Sequence, residues 1–211
     1  LSAMLPVIGF GLLRATSGLS RVDAAAVAAH YGSISIVTFV AATQALATAG
    51  LEYDGYMIAV AAVMESPAIM MALLLAKRAN AASPADRQGT HIGREIFFNS
   101  SVLMLTGAFL IGYITGKPGL ETIAPFFVDP FRGVLCLFLL DMGLIAARGL
   151  RSGLGRLSMP VLLYGLYMPL VGAAVGAGVA MLICLSAGSA ALLITLSASA
   201  SYIAVPAALR L

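Results

Sequence analysis

Residues 28–38 read Ala28-Ala29-His30-Tyr31-Gly32-Ser33-Ile34-Ser35-Ile36-Val37-Thr38, and this stretch lies inside a long apolar run. Gly32, Ser33 and Ser35 weaken a helix where it is deepest in lipid, and backbone freed there must be buried in protein or line a wet cavity. A second stretch does the same near the other end of the chain: Ser197, Ser199 and Ser201 precede Tyr202 and Pro206, again within an apolar run. Two interrupted spanning helices in corresponding positions of two halves point to the substrate site of a transporter.

The surrounding composition sets the class. The chain of 211 residues is 61% hydrophobic and 10% charged, with a mean hydropathy of +1.01, which excludes an ordinary soluble domain and indicates a polytopic membrane protein. At about 20 residues per spanning helix this length accommodates roughly seven crossings. The apolar segments are 1–13, 22–47, 56–76, 96–114, 131–147, 160–185 and 190–209. The chain opens within the first of these and stops just after the last, so a piece of a longer protein, trimmed at both ends, is expected. The net charge of +3 comes from bases that fall singly between apolar segments, which is not a nucleic-acid surface. Cys136 and Cys184 have no metal-type spacing and are expected to be small packing residues.

The bases set orientation. Arg14 and Arg21 follow the first segment, only Glu52 and Asp54 follow the second, and Lys77, Arg78, Arg87 and Arg94 follow the third. Lys117 then stands against Glu121 and Asp129, Arg148, Arg151 and Arg156 come next, and residues 186–189 carry no base. Basic and non-basic loops alternate, so each segment is expected to cross once, in a multi-pass protein of the inner (plasma) membrane. The two interrupted helices then run in opposite directions. Shifting one onto the other by 166 positions places Ser33 on Ser199 and Ser35 on Ser201. Opposed direction plus a shared interruption reads as an inverted-topology repeat. The expected organisation is the remainder of a first repeat over residues 1–77, a cytoplasmic linker over 78–94, and most of a second repeat over 95–211.

Candidate site residues follow from what lipid penalises. A carboxylate within a span is costly unless paired or hydrated, which singles out Glu65, in Met64-Glu65-Ser66-Pro67, and Asp141. Pro67 frees the carbonyl of Val63, so Glu65, Ser66 and that carbonyl offer oxygen ligands to a small hard cation, or a proton carrier; Ser197 joins them as an expected Na+ ligand. The bland reading of Glu65 is a buried acid hydrogen-bonded to Ser66 or to a facing helix. For Asp141 the bland reading is a pair with Arg148. Gly32, Ser33, Ser35, Ser199 and Ser201 are the expected substrate contacts: half-helix N-termini suit an anion, while carbonyls and hydroxyls suit Na+. Small residues that merely allow close helix packing are the alternative. His30 is a candidate for gating or proton linkage, although a lone helical His is more often a satisfied structural residue. Asp23 is expected to cap its helix, and Asp129 to cap a helix that starts at Pro130.

Ala29-His30-Tyr31-Gly32-Ser33, Met64-Glu65-Ser66-Pro67-Ala68, Asp129-Pro130-Phe131-Arg132-Gly133 and Ser199-Ala200-Ser201-Tyr202-Ile203-Ala204-Val205-Pro206 occur in that order. Together they resemble the SbtA-like sodium-dependent bicarbonate transporter family across nearly the whole chain. The resemblance implies an all-α membrane protein of two inverted five-helix repeats, with a core domain holding crossed broken helices and a second domain that gates and oligomerises. On that pattern this chain holds the third through the ninth of ten helices. It also implies a homotrimer, Na+ as the coupling ion, bicarbonate as the anion and a PII-like regulator on the cytoplasmic side. The chain departs from the pattern in two places, with Tyr202 where the family's serine cluster is followed by Asp and Asp141 where the family has an apolar residue, while the acidic residue of a Met-Asp-Ile-Pro pattern is retained as Glu65.

Two other classes are distinguishable. His30, Ser33 and Asp141 are the residue types of an intramembrane hydrolase, but no nucleophile motif accompanies them. A non-transporting scaffold or sensor, bound by a soluble regulator at the cytoplasmic loops, would keep its function without Ser33 and Ser201.

Overall fold

In a computed structural model the described residues are 1–80, 100–153 and 158–201. They form helices α1 (Met4–Thr16), α2 (Arg21–Ala29), α3 (Ile36–Thr48), α4 (Tyr56–Asn80), α5 (Ser100–Phe127), α6 (Phe131–Gly153), α7 (Met159–Leu182) and α8 (Ala187–Ala198). The chain divides into two units, Leu1–Leu105 with Pro160–Leu211, and Thr106–Met159.

The first unit holds α1 to α4, α7 and α8. Helix α2 is short and rich in alanine, and Ala24, Ala25, Ala28 and Ala29 are all buried, which lets neighbouring backbones approach closely. One core gathers Leu5 and Leu13 of α1, Ala24 and Ala28 of α2, Tyr31, and Tyr164 and Met168 of α7. A second gathers Leu46 of α3, Met57, Ala61 and Met64 of α4, Ala180 of α7, and Leu192, Leu193 and Leu196 of α8. Helix α7 serves both through a stripe at every fourth residue: Tyr164, Met168, Gly172, Gly176 and Ala180. That spacing keeps one face toward the core. Its two glycines are there for contact. A Cβ on Gly172 would collide with the carbonyl oxygen of Ser197, and one on Gly176 would lie 2.7 Å from the Ser197 hydroxyl.

The polarity of this unit is inverted relative to a soluble domain. Its buried polar residues are Ser2, Ser33, Ser35, Ser189, Ser197, Ser199 and Ser201, whereas Val7, Ile58, Val63, Leu162, Leu166, Leu170 and Met181 are exposed. Apolar outside and hydroxyl inside is what a hydrocarbon solvent selects.

The second unit contains most of α5 and all of α6. Helix α5 turns at Gly116, where φ is +56° and ψ −152°, and then continues to Phe127. Residues 115–130, expected as a loop, are therefore mostly helical. Pro118 lacks an N–H and has a fixed φ, so it starts a new helix readily just after the turn. Helix α6 begins at Phe131, and Pro130 rather than Asp129 supplies the carbonyl for its first bond, from Val134 N–H at 3.0 Å. Among the described residues, two helices are long and apolar enough to cross a membrane, Gly133–Arg151 and Met159–Leu182. Cys136 and Cys184 are exposed, not packed, and Cys184 adopts a positive φ of 51° in the turn after α7. The polar linker expected at 78–94 lies, beyond Asn80, outside the described residues.

Candidate functional site

The apolar run from Val22 to Ala47 is two helices. Helix α2 ends at Ala29, residues 30–35 are non-helical, and α3 begins at Ile36. At the other stretch, α8 ends at Ala198 and residues 199–201 are extended; Tyr202 to Pro206 lie outside the described residues. The two non-helical segments are in contact. Tyr31 and Ala200 form an antiparallel bridge, and the Ser201 N–H donates to the His30 carbonyl at 2.7 Å. His30 Nδ1 lies 2.6 Å from the carbonyl oxygen of Ser201. A carbonyl only accepts, so Nδ1 carries the hydrogen. His30 therefore links the two segments through side chain and backbone together.

Gly32 makes this geometry possible. Its φ is +102°, a value side chains disfavour. A Cβ there would collide with the carbonyl oxygen of Ser2 and stand 2.6 Å from Pro6 Cδ. The chain then passes through Ser33 and Ile34 to Ser35, whose hydroxyl caps α3 by accepting from Thr38 N–H at 3.4 Å. Ser33 is completely buried. Its hydroxyl lies close to the Glu65 carboxylate but completes no hydrogen bond of ordinary geometry. Glu65, half-buried on α4, accepts the Ile34 N–H at 3.1 Å through Oε2. A carboxylate from α4 thus sits at the positive end of α3.

On the α8 side, hydroxyls turn back on their own helix. Ser197 donates to Leu193 O at 2.7 Å, and Ser199 donates to Leu196 O at 2.7 Å. Both keep lone pairs, and the ends of α2 and α8 that face this region are negative C-termini. Of the expected site residues, the first unit holds His30, Gly32, Ser33, Ser35, Glu65, Ser199 and Ser201 at this junction, with Ser197 in the last turn of α8, two residues before Ser199. The Ser66 side chain lies outside the described residues. Asp141 is exposed on α6 and belongs to the other unit. With His30 Nδ1 engaged by Ser201 and Ser33 lacking a hydrogen-bond partner, His30 and Ser33 do not form a nucleophile–base pair.

Sequence reasoning missed the anchor at the far end of α8. The Asp54 carboxylate accepts from the hydroxyls of Ser189 at 2.7 Å, Ser186 at 2.9 Å and Tyr56 at 3.2 Å. The Asp54 N–H in turn donates to Ser189 Oγ at 3.0 Å. Those hydroxyls, Ser189 foremost, hold the Asp54 carboxyl below its ordinary range. Gly188 permits the approach, because a Cβ there would collide with the Glu52 carbonyl oxygen. The two loops without bases, 49–54 and 186–189, are the ones that meet here, so their shared lack of charge was the available signal. The opposite loop gives a correction. The cap of α2 is Ser20, which accepts from Asp23 N–H at 3.1 Å, while Asp23 accepts the Ser20 hydroxyl at 2.7 Å. Asp23 stands in the first turn holding the Ser20 hydroxyl and is not itself the cap.

A helical protein with apolar surfaces, buried serines and two non-helical segments paired at its core has the features that a membrane transporter requires. The sequence pattern of the Na+-dependent bicarbonate transporter superfamily matches residues 1–211, and the chain belongs to that family. A comparison with curated proteins finds no match.

Proposed function

We propose that this chain serves a Na+-coupled importer of a small anion, bicarbonate first, working by alternating access. The pairing of His30 and Tyr31 with Ala200 and Ser201 carries this reading. It supports two broken helices that cross, with the anion between half-helix ends. An inverted repeat of five plus five helices gains support from the half-helix starts. Ser20 and Ser186 are both N-caps, at φ −59° with ψ 161° and 155°, and they are separated by the same shift that superposes Ser33 on Ser199.

In this reading Gly32, Ser33 and Ser35 present N–H and hydroxyl donors to the anion, with Ser199 and Ser201 opposite. Na+ sits toward the negative helix ends, held by carbonyls and by Glu65, Ser66 and Ser197. His30 ties the two segments so that they gate as one body; Asp141 is proton-linked, in the gating domain. The family resemblance extends the proposal to a homotrimer in the plasma membrane, with a PII-like regulator at the basic loops. Uptake of labelled bicarbonate into liposomes holding the full-length protein tests it. Uptake is expected to follow an inward Na+ gradient. Gradient-independent uptake refutes the coupling, and absence of bicarbonate uptake refutes the substrate.

A further inference from the structure

The residue at the positive end of α3 already has a negative partner. Ser35 uses its hydroxyl on Thr38 N–H, and the Ile34 N–H just before it is held by Glu65 Oε2 at 3.1 Å, from a different helix. The first-turn N–H groups of Ile36 and Val37 have no acceptor within α3. Beside the carboxylate, the Ser33 hydroxyl is fully buried and completes no hydrogen bond. Donors for an anion are thus gathered at this end, one of them unused, and a carboxylate of the chain itself occupies the place next to it. A substrate anion and an ionised Glu65 cannot both take this end without a counter-charge, since two negative groups a few ångströms apart in a water-poor site repel strongly.

We propose that Glu65 is an exchange group: the substrate anion competes with its carboxylate for the Ile34 N–H, and the displaced carboxylate is taken by the coupling cation. This rests on the transport reading above and deepens it by giving the coupling a residue. The negative ends of α2 and α8 and the serine hydroxyls beside them suit a cation that also meets the released carboxylate. Anion binding without the cation leaves Glu65 charged and without its donor. Cation binding without the anion must pull Glu65 away from Ile34. Each ligand therefore strengthens the other, and by linkage the factor is the same in both directions.

The test is isothermal titration of the full-length protein in detergent, with potassium bicarbonate as ligand, in sodium chloride or choline chloride. Na+ is expected to tighten bicarbonate by a factor within the range of about 5 to 150, and bicarbonate to tighten Na+ equally. Glu65→Gln keeps an acceptor for Ile34 but has no charge. Its enhancement is expected to fall to about one, with bicarbonate in choline binding tighter than to the wild type. Wild-type enhancement retained in Glu65→Gln overturns the proposal, as does a wild-type Na+ affinity indifferent to bicarbonate. If Glu65→Gln does not fold, Glu65→Asp decides: it keeps the charge but falls one methylene short of Ile34. It is expected to bind bicarbonate tighter in choline, and the absence of tightening overturns the proposal. Absence of bicarbonate binding under every condition sinks the transport reading and this inference together. Binding with unaltered enhancement in Glu65→Gln sinks the inference alone.

Discussion

Replacing Gly32 by alanine isolates what the non-helical segment at residues 30–35 requires. Two costs add. A side chain at φ +102° brings the penalty of a left-handed backbone, about 1–2 kcal/mol. The new Cβ also collides with Ser2 O and lies 2.6 Å from Pro6 Cδ. One neighbour is backbone and the other a rigid ring, so relief requires α1 to move, at about 1–3 kcal/mol for overpacking. The sum is about 2–5 kcal/mol. Gly50 provides the control: its φ is +66° and a Cβ there meets nothing within 4 Å, so Gly50→Ala carries only the backbone penalty of about 1–2 kcal/mol. Thermal unfolding of both variants in the same detergent is the assay, and Gly32→Ala should lower the midpoint about twice as far. Pro6→Ala in the Gly32→Ala background should restore part of the difference. Equal losses in Gly32→Ala and Gly50→Ala would show that α1 does not constrain this segment, and the account of the packing around residues 30–35 would be wrong.

Three further outcomes are expected. Tyr164→Phe removes a buried hydroxyl that has no partner and should raise stability by about 1 kcal/mol; a loss would reveal a hidden partner. Gly172→Ala pushes α7 off the Ser197 carbonyl and should lower stability by about 1–3 kcal/mol, whereas Gly165→Ala on the same helix meets open space and should not, which a melting comparison decides. Asp54→Asn weakens the anchor of α8 and should lower the melting midpoint at neutral pH. Because the Asp54 pKa is depressed by its hydroxyl donors, its contribution is present above the ordinary carboxylate pKa and lost as pH falls through the lower folded value. The gap between variant and wild type should thus persist from about pH 7 to about pH 5 and close only in stronger acid; a gap independent of pH down to acid unfolding would contradict an ionic role.

The interruption at residues 30–35 was legible because Gly32, Ser33 and Ser35 combine two local signals, poor helix formation and polarity in an apolar run. Both act within a few residues, which is the range a single sequence reports well. The Ile34 link to Glu65 was only half legible. An acid within a span announces that it has a partner, but that the partner is an N–H at the start of α3 depends on how α4 packs, and no local pattern encodes it. Asp54 was overlooked for the same reason: its partners Ser186 and Ser189 lie far away in sequence, and a loop Asp looks like solvation. The turn at Gly116 was misread because Gly116-Lys117-Pro118 carries equal local weight as a loop and as a helix start. Length of the helix beyond it, to Phe127, decides between the two.

The links that hold residues 30–35 and 199–201 together bear on what can move. Two of the three are backbone contacts, the Tyr31–Ala200 bridge and Ser201 N–H to His30 O, and the third ends on a backbone carbonyl. Such links tolerate many side chains but constrain where two chain segments lie, so they favour motion of the first unit's interrupted helices as one body. Asp54 and Gly188 fix the other end of α8 to the 49–54 loop, adding a second point of attachment. A rod pinned at both ends transmits rotation but resists sliding. The side chains that remain free to exchange partners at the junction are then few, chiefly the Ser33 hydroxyl and the Glu65 carboxylate. That is the division of labour a coupled carrier needs: a stiff frame for position, and one or two mobile groups whose pairing depends on what is bound.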